Sequence, residues 1–430
     1  MIFEKICVLG LGYIGLPTAS IFATHGINVV GVDINPKVVD TLNGGGIHIQ
    51  EVGLDALVQQ ALSSGKLTVQ CQPVPADAFI IAVPTPIRAD KTADMSMVIS
   101  AIEMIVPHLR CGNLIILEST SPPGTTIELV RPILEKSGLK ASLDFKLAYS
   151  PERVLPGQIL KELVENDRVI GGIDFDSAQA GQALYATFVK GAIILTDATT
   201  AEMVKLMENT FRDVNIALAN EFTLIAEHIG VNVWEAIELA NHHPRVKILK
   251  PGPGVGGHCI AVDPWFLVES APQVTPLIRT ARDVNDTMPK HVAKLVQTVL
   301  ANIYSDGRQT QVPVIACLGL AYKANVDDAR ESPALSVVAE LEQLGYQVRV
   351  SDPLVKHLHG VEREILSAEE AVVGADCVVL LTDHGLYSTL DPVAIGKLMH
   401  QRLVIDTRHS LDLVIWQAAG FQTYLIGNPL

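Results

Sequence analysis

No apolar run in this 430-residue chain approaches the roughly 18 residues needed to cross a bilayer. The longest, 79–83 and 377–381, stop at Pro, Thr or Asp within a few residues, although 48% of the chain is hydrophobic. A signal-peptide pattern is also missing: Met1 leads straight into strand-like sequence, so a cytoplasmic location is expected. Cysteine is scarce and scattered. Cys7, Cys71, Cys111, Cys259, Cys317 and Cys377 form no Cys-x-x-Cys pair, and three lie in strongly apolar, strand-like stretches. That pattern suits buried reduced thiols and argues against a disulfide framework or a metal centre. Charge is sparse at 18% and unbalanced at −15 net, which opposes attraction to nucleic acid and anionic membranes. An anionic small molecule must therefore be met by local cations. Short-period repeats and low-complexity tracts are absent as well.

What is present is α/β grammar. Short β-branched runs at 5–9, 28–32, 78–83, 113–118, 145–149 and 192–195 alternate with helical patterns and read as buried parallel strands. From Thr199 to Ile229 there is neither Gly nor Pro, and Thr199-Thr200-Ala201-Glu202 fits a capping box opening one long helix. A polar stretch at 304–311 precedes a second βα series, with strands expected near 312–318, 347–351, 376–381, 402–406 and 423–426. The expected fold is thus α/β, with two Rossmann-like doubly wound domains joined by a long central helix. Domains are expected at 1–198, 199–303 and 304–430.

The first βα turn carries Gly10-Leu11-Gly12-Tyr13-Ile14-Gly15, and the next strand ends at Asp33, about 20 residues on, as a dinucleotide fingerprint requires. Gly10 makes the tight turn, Gly12 lets the backbone approach a pyrophosphate, and Gly15 lets helix and strand pack closely. The helix N-terminus then faces the anion. Asp33 would accept from both hydroxyls of the adenosine ribose and repel a 2′-phosphate, favouring NAD over NADP. Val83-Pro84-Thr85-Pro86 and Glu118-Ser119-Thr120-Ser121-Pro122-Pro123-Gly124-Thr125-Thr126 both follow strand ends, the edge at which ligands bind in open α/β sheets. Each is also ordinary turn chemistry.

Gly252-Pro253-Gly254-Val255-Gly256-Gly257-His258-Cys259 is the most unusual passage. A backbone this rich in Gly can press against a ligand and present Cys259 in an exposed turn as a nucleophile, although a lone cysteine is more commonly a small buried hydrophobe. Asp263, before Pro264, is either a catalytic carboxylate or a helix N-cap, and the two are compatible. Lys205, Asn209 and Arg212 share one face of the long helix beside an apolar stripe of Val204, Phe211 and Leu218. Lys and Asn one turn apart can stabilise an oxyanion, or simply form a solvated face.

These motifs resemble, over nearly the full length, the UDP-sugar 6-dehydrogenases of the UDP-glucose/GDP-mannose dehydrogenase family. The residues that carry the resemblance are Gly10–Pro17, Ser150-Pro-Glu-Arg-Val-Leu-Pro-Gly157, Glu208-Asn-Thr-Phe-Arg-Asp-Val-Asn215, His243-Pro-Arg-Val246, Gly254–Trp265 and Asp327-Asp-Ala-Arg-Glu-Ser-Pro333. The resemblance implies a helical dimerisation core between the two Rossmann-like domains and a homodimer. It also implies NAD, two per sugar, held by Gly10, Gly12, Tyr13, Ile14, Gly15, Asp33, Thr85 and Thr126, with Arg330 reaching it from the C-terminal domain. Cys259 would form a thiohemiacetal and then a thioester. Lys205 and Asn209 would stabilise oxyanions, Lys205 would also handle protons, and Asp263 and Thr120 would order water. Glu152 would activate the hydrolytic water, unless it merely pairs with Arg153. Arg153, Val154, Lys205, Asn209, Arg212, His243, Arg245, Gly256, Tyr322, Lys323 and Arg408 would meet the substrate, Arg245 coming from the partner subunit.

Where UDP-glucose dehydrogenases typically have Phe-Pro-Lys-Asp after the cysteine, this chain has Ile260-Ala261-Val262-Asp263. That looks like the N-acetylhexosamine branch, with UDP-N-acetyl-D-mannosamine the implied substrate, serving surface-polysaccharide synthesis. UDP-N-acetylglucosamine and UDP-glucose are the alternatives. A two-electron β-hydroxyacid dehydrogenase would share the N-terminal Rossmann unit but would have no need of Cys259. A non-catalytic NAD sensor would leave Lys205, Asn209 and Cys259 a coincidence.

Overall fold

The computed structural model describes residues 3–49, 51–155, 157–304, 311–358 and 362–429. Most of the polar stretch expected at 304–311 lies outside the described residues, as does Pro156 of the Ser150–Gly157 motif. The chain forms two compact units, Met1–Glu208 with Trp265–Val274, and Asn209–Pro264 with Thr275–Leu430.

The first unit is built on β1 (Lys5–Leu9), β2 (Asn28–Val32), β3 (Leu67–Gln70), β4 (Ala78–Ile81), β5 (Leu114–Leu117), β6 (Lys146–Tyr149), β7 (Arg168–Gly172) and β8 (Ile193–Asp197). Their order in the sheet is β3-β2-β1-β4-β5-β6-β7-β8. Strands β1 to β6 are parallel, in the order of a dinucleotide-binding sheet. Alternation along each strand divides the core. Ile6 and Val8 of β1 join one apolar layer, and Cys7 and Leu9 the other. Both faces are therefore covered, as a parallel sheet requires.

Three features of this unit depart from the sequence reading. Neither β3 nor β7 was expected, and β7 runs antiparallel to β6. Its sequence ends Gly171-Gly172, which obscures a strand pattern but is needed for packing. A Cβ on Gly171 would lie 2.3 Å from the Asp197 carbonyl oxygen, and one on Gly172 2.1 Å from that of Asp174. β8 pairs parallel with β7 at the sheet edge and is only half-buried, not a buried strand parallel to the others. Cys7, Cys317 and Cys377 are buried, and all six cysteines are free.

The second unit carries β9 (Val314–Leu318), β10 (Gln347–Ser351), β11 (Ile365–Leu366), β12 (Cys377–Leu380), β13 (Leu403–Asp406) and β14 (Gln422–Leu425), ordered β11-β10-β9-β12-β13-β14 and all parallel. It repeats the order of the first six strands. Ile315 and Cys317 face the layer formed by the helix Pro276–Ile303, while Ala316 and Leu318 face the opposite layer.

The long helix is Ala198–Ile229. The capping box is not what starts it. Asp197 caps it, accepting from the Thr200 backbone N–H at 2.9 Å and the Thr200 hydroxyl at 2.6 Å. Glu202 instead turns to the loop after β5, accepting from Gly124 N–H at 2.6 Å, Thr126 N–H at 2.7 Å and the Thr126 hydroxyl at 2.6 Å. The apolar stripe is split: Val204 packs against the core, while its other two members face out. Phe211 is 70% and Leu218 43% exposed, whereas Thr210, Asp213, Ala217, Asn220 and Thr223 are buried.

Candidate active site

The three glycines of the first βα turn occupy the positions their spacing assigns. Gly10 has φ +89°, and a Cβ there would meet the Ala82 carbonyl oxygen at 2.6 Å. On Gly15 a Cβ would lie 1.8 Å from the Gly10 carbonyl oxygen, so helix and turn touch backbone to backbone. Gly12 faces open space with nothing within 4 Å of its Cβ position, the room a pyrophosphate needs. Tyr13 and Ile14 lead into the helix Gly15–Thr24. Asp33 lies just past β2, its Oδ2 accepting from Leu11 N–H at 3.0 Å and its Oδ1 from Asn35 N–H at 2.9 Å. The turn thus holds the carboxylate in place, and these residues fit a dinucleotide.

Thr85 and Thr120 are half-buried beyond β4 and β5. Thr126 is fully buried, and its hydroxyl donates to Glu202, bracing the loop. Glu152 does not pair with the Arg153 guanidinium. Its Oε1 accepts the Arg153 backbone N–H at 2.7 Å, and its Oε2 meets Arg168 Nη2 at 2.9 Å. Arg153 pairs with Glu208 at 2.7 Å, and Val154 is half-buried beside it. Lys205 is half-buried on the long helix.

The second unit gathers a different set. Asn209 Nδ2 donates to Asp263 Oδ2 at 2.5 Å, and Asp263 N–H donates to the Cys259 carbonyl at 2.8 Å. Asp263 is buried and opens the helix Asp263–Ser270 from within its first turn. Cys259 is half-buried. His258 lies 3.6 Å from Asp328 Oδ2 and 3.4 Å from Arg330 Nη2. Asp328, and after it a hydrogen bond with the Cys259 thiol, push His258 up to about 9, so it is a cation at neutral pH. Burial opposes ionisation of Asp328, yet hydrogen bonds from His258 and Arg330 hold it well below the usual carboxylate range.

Glycine is required at Gly256 and Gly257 of this loop, whereas Gly252 meets only the movable end of Arg408. A Cβ on Gly256 would lie 2.2 Å from the Glu331 carbonyl oxygen, on Gly257 2.8 Å from the Tyr322 ring, and on Gly252 2.5 Å from Arg408 Nη1. Tyr322 and Arg408 thus pack against the cysteine loop. Arg408 is also held by Asp383 at 3.0 Å, and Arg330 grips Asp328 at 2.6 Å. Lys323, Arg212, His243 and Arg245 are exposed, the last two within an exposed segment spanning 241–247.

Two buried polar clusters escaped sequence reading. Gly252 N–H donates to Asn220 Oδ1 at 2.9 Å, Asn220 Nδ2 to Asn285 Oδ1 at 2.9 Å, and Asn285 Nδ2 to Asp213 Oδ1 at 2.8 Å. Arg282 also reaches Asp213, at 2.5 Å. This chain ties the glycine loop to two helices. The other cluster joins Glu118, Arg168, Glu152 and Tyr185. The only sequence signal for it was an acid closing the apolar β5 run.

Comparison with known proteins places these sites in context. Three domains of the UDP-glucose/GDP-mannose dehydrogenase family match in order: the NAD binding domain over residues 4–189, the central domain over 199–287 and the UDP binding domain over 316–413. The chain is 50% identical to a UDP-N-acetyl-D-mannosamine dehydrogenase of Methanocaldococcus jannaschii, covering 99% of this chain and 97% of that one. It is 52% identical to an NDP-N-acetyl-D-galactosaminuronic acid dehydrogenase of Ralstonia nicotianae, over 94% and 96%. Among solved structures, the UDP-D-ManNAc dehydrogenase of Pyrococcus horikoshii superposes with a TM-score of 0.91 at 47% identity, covering 98% of this chain and 99% of that one. With its three domains matched in order and such relatives aligned almost end to end, the chain belongs to the UDP-glucose/GDP-mannose dehydrogenase family.

Proposed function

We propose that this chain oxidises the C6 primary alcohol of UDP-N-acetyl-D-mannosamine to the carboxylate, as a cytoplasmic homodimer supplying surface-polysaccharide synthesis. In this reading residues 1–198 hold NAD, 199–303 carry dimerisation and chemistry, and 304–430 hold the UDP-sugar. The observation that carries it is the Cys259 turn, with His258 as a cation against the thiol and Asp263 fixed between Asn209 and the Cys259 carbonyl.

NAD supplies hydride acceptance, twice per sugar. The chain supplies the rest. A cation beside Sγ stabilises a developing thiolate, so Cys259 attacks the C6 aldehyde to give a thiohemiacetal and, after the second oxidation, a thioester. Lys205 takes the alcohol proton, and Lys205 and Asn209 offer donors to the oxyanions. Asp263 and Thr120 order water, and Glu152 draws its proton as it attacks the thioester. Substrate is met by Arg153, Val154, Arg212, His243, Gly256, Tyr322, Lys323 and Arg408, and the guanidinium and ammonium groups among them are the local cations that the net charge of −15 otherwise withholds. Arg330 would leave Asp328 for the cofactor.

Dimerisation is supported by the outer face of the long helix. Phe211, Leu218, Ile225 and Ile229, spaced by seven, seven and four, are all exposed, an apolar stripe of the kind that marks an interface. Arg245, in the exposed segment 241–247, is then free to reach the partner's site.

A second reading, an NDP-N-acetyl-D-galactosaminuronic acid dehydrogenase, is favoured by the 52% identity to the Ralstonia protein. Incubation with NAD and, separately, UDP-N-acetyl-D-mannosamine, UDP-N-acetylgalactosamine, UDP-N-acetylglucosamine and UDP-glucose, counting NADH per sugar, tests both. Two NADH with the mannosamine substrate is expected. Two with another sugar replaces the substrate, and one NADH with any sugar removes the thioester mechanism.

A further inference from the structure

Glu118 stands just past β5, at the carboxyl edge of the first sheet, and is 3% exposed. Its Oε1 accepts a short hydrogen bond from the Tyr185 hydroxyl and faces Arg168 Nη1 at 3.4 Å. Its Oε2 is buried with no hydrogen-bond partner among the described residues. Arg168, 5% exposed, lies 4.3 Å from the Tyr185 ring centroid and donates to Ser150 Oγ at 3.0 Å and Glu152 Oε2 at 2.9 Å. The titratable groups facing Glu118 are thus Arg168 from β7, Glu152 from the loop after β6 and Tyr185 from the helix Phe175–Tyr185.

Two buried carboxylates therefore share one guanidinium. Ionising both would leave an uncompensated charge in a poorly solvated site, so one of them keeps a proton. The hydrogen bonds decide which. Both oxygens of Glu152 have donors, from the Arg153 backbone and Arg168, whereas Glu118 has an oxygen with none. Burial, reinforced by Glu152 and opposed by Arg168, pushes Glu118 up to about 7.

We propose that Glu118 is a positioning residue for Glu152: its buried proton leaves the Arg168 charge to Glu152, and losing that proton divides the charge and makes Glu152 a stronger base. This deepens the reading above and rests on Glu152 activating the hydrolytic water. The proton leaves to solvent, and no bond in the substrate changes in the switching step. Thioester hydrolysis should therefore quicken as Glu118 ionises.

Glu118→Gln, an isostere of the protonated acid, provides the test. Acid formation is measured for wild type and variant across pH, and the ratio of their rates cancels every titration they share. As pH rises through about 7, the variant-to-wild-type ratio should fall. A roughly two- to fivefold fall is expected for a base whose strength responds to one neighbouring charge. A ratio constant with pH overturns the proposal. Infrared titration of the carboxylic C=O band reads the proton without relying on activity. The band should vanish around pH 7 in wild type, be missing in Glu118→Gln, and vanish at lower pH in Glu152→Gln, where the second carboxylate is gone. A midpoint unmoved by Glu152→Gln also overturns the coupling. If Glu152→Gln instead retains full acid production while the band shifts as expected, the assignment of Glu152 as base fails and the buried proton stands.

Discussion

Replacing Cys259 with alanine removes the sulfur at the end of the glycine loop but none of the dinucleotide turn. Acid formation should fall by at least roughly a thousandfold, as when a covalent nucleophile is lost. NAD binding, read by calorimetry, should be unchanged. Asp33→Ala works the other way. Asp33 accepts from the Leu11 and Asn35 backbones and is the acid proposed to hold the ribose, so the variant should bind NAD about tenfold more weakly and discriminate less against NADP. Competition binding of the two cofactors checks this, and unaltered selectivity would misplace the ribose site. At this scale the glycines were readable because each answers a demand of neighbouring backbone: Gly15 is forced by the Gly10 carbonyl five residues away. The bond from the Thr126 hydroxyl to Glu202 could not be read, because the two residues are 76 apart in sequence. Glu152 met Arg168, not the guanidinium beside it in sequence, for the same reason.

Elements were legible wherever periodicity was strong. All six strands expected in the first unit exist within a few residues; β3 and β7 were missed, and β7 is the one whose two glycines erase the pattern. The long helix was also plain, but its start was not, because Asp197 and Glu202 can each satisfy a helix end and only packing decides which does. Glu202 now pins the loop 124–126 to the helix. Its burial raises the carboxyl to about 6, against the pull of the Thr126 and Gly124 donors. A carboxyl raised above its ordinary value stabilises the fold fully below that value, and the contribution is lost as pH rises through about 6. Glu202→Gln should remove this pH dependence from urea midpoints. It should also cost about 1–3 kcal/mol, because its amide NH2 would face a backbone N–H it cannot accept from.

For the whole molecule the informative contrast lies on the long helix, whose buried side is small and polar while Phe211, Leu218, Ile225 and Ile229 face outward. Phe211→Glu should shift light-scattering mass from dimer to monomer at micromolar concentration, with activity falling as Arg245 loses its partner's site. A monomeric wild type, or a dimer indifferent to the change, would remove the interface. No helix among the described residues is long and apolar enough to cross a membrane. The sequence by itself determined the sheet class, the dinucleotide turn, the glycine loop around Cys259 and the family, because each depends on residues close together in the chain whose spacing obeys strand period or backbone clearance. Tertiary structure alone decided that Arg168 serves Glu118 and Glu152, that Asn220 and Asn285 hold the Gly252 backbone, and that the stripe of the long helix faces out. Those outcomes depend on which distant side chains share a low-dielectric interior, and no local pattern encodes that choice.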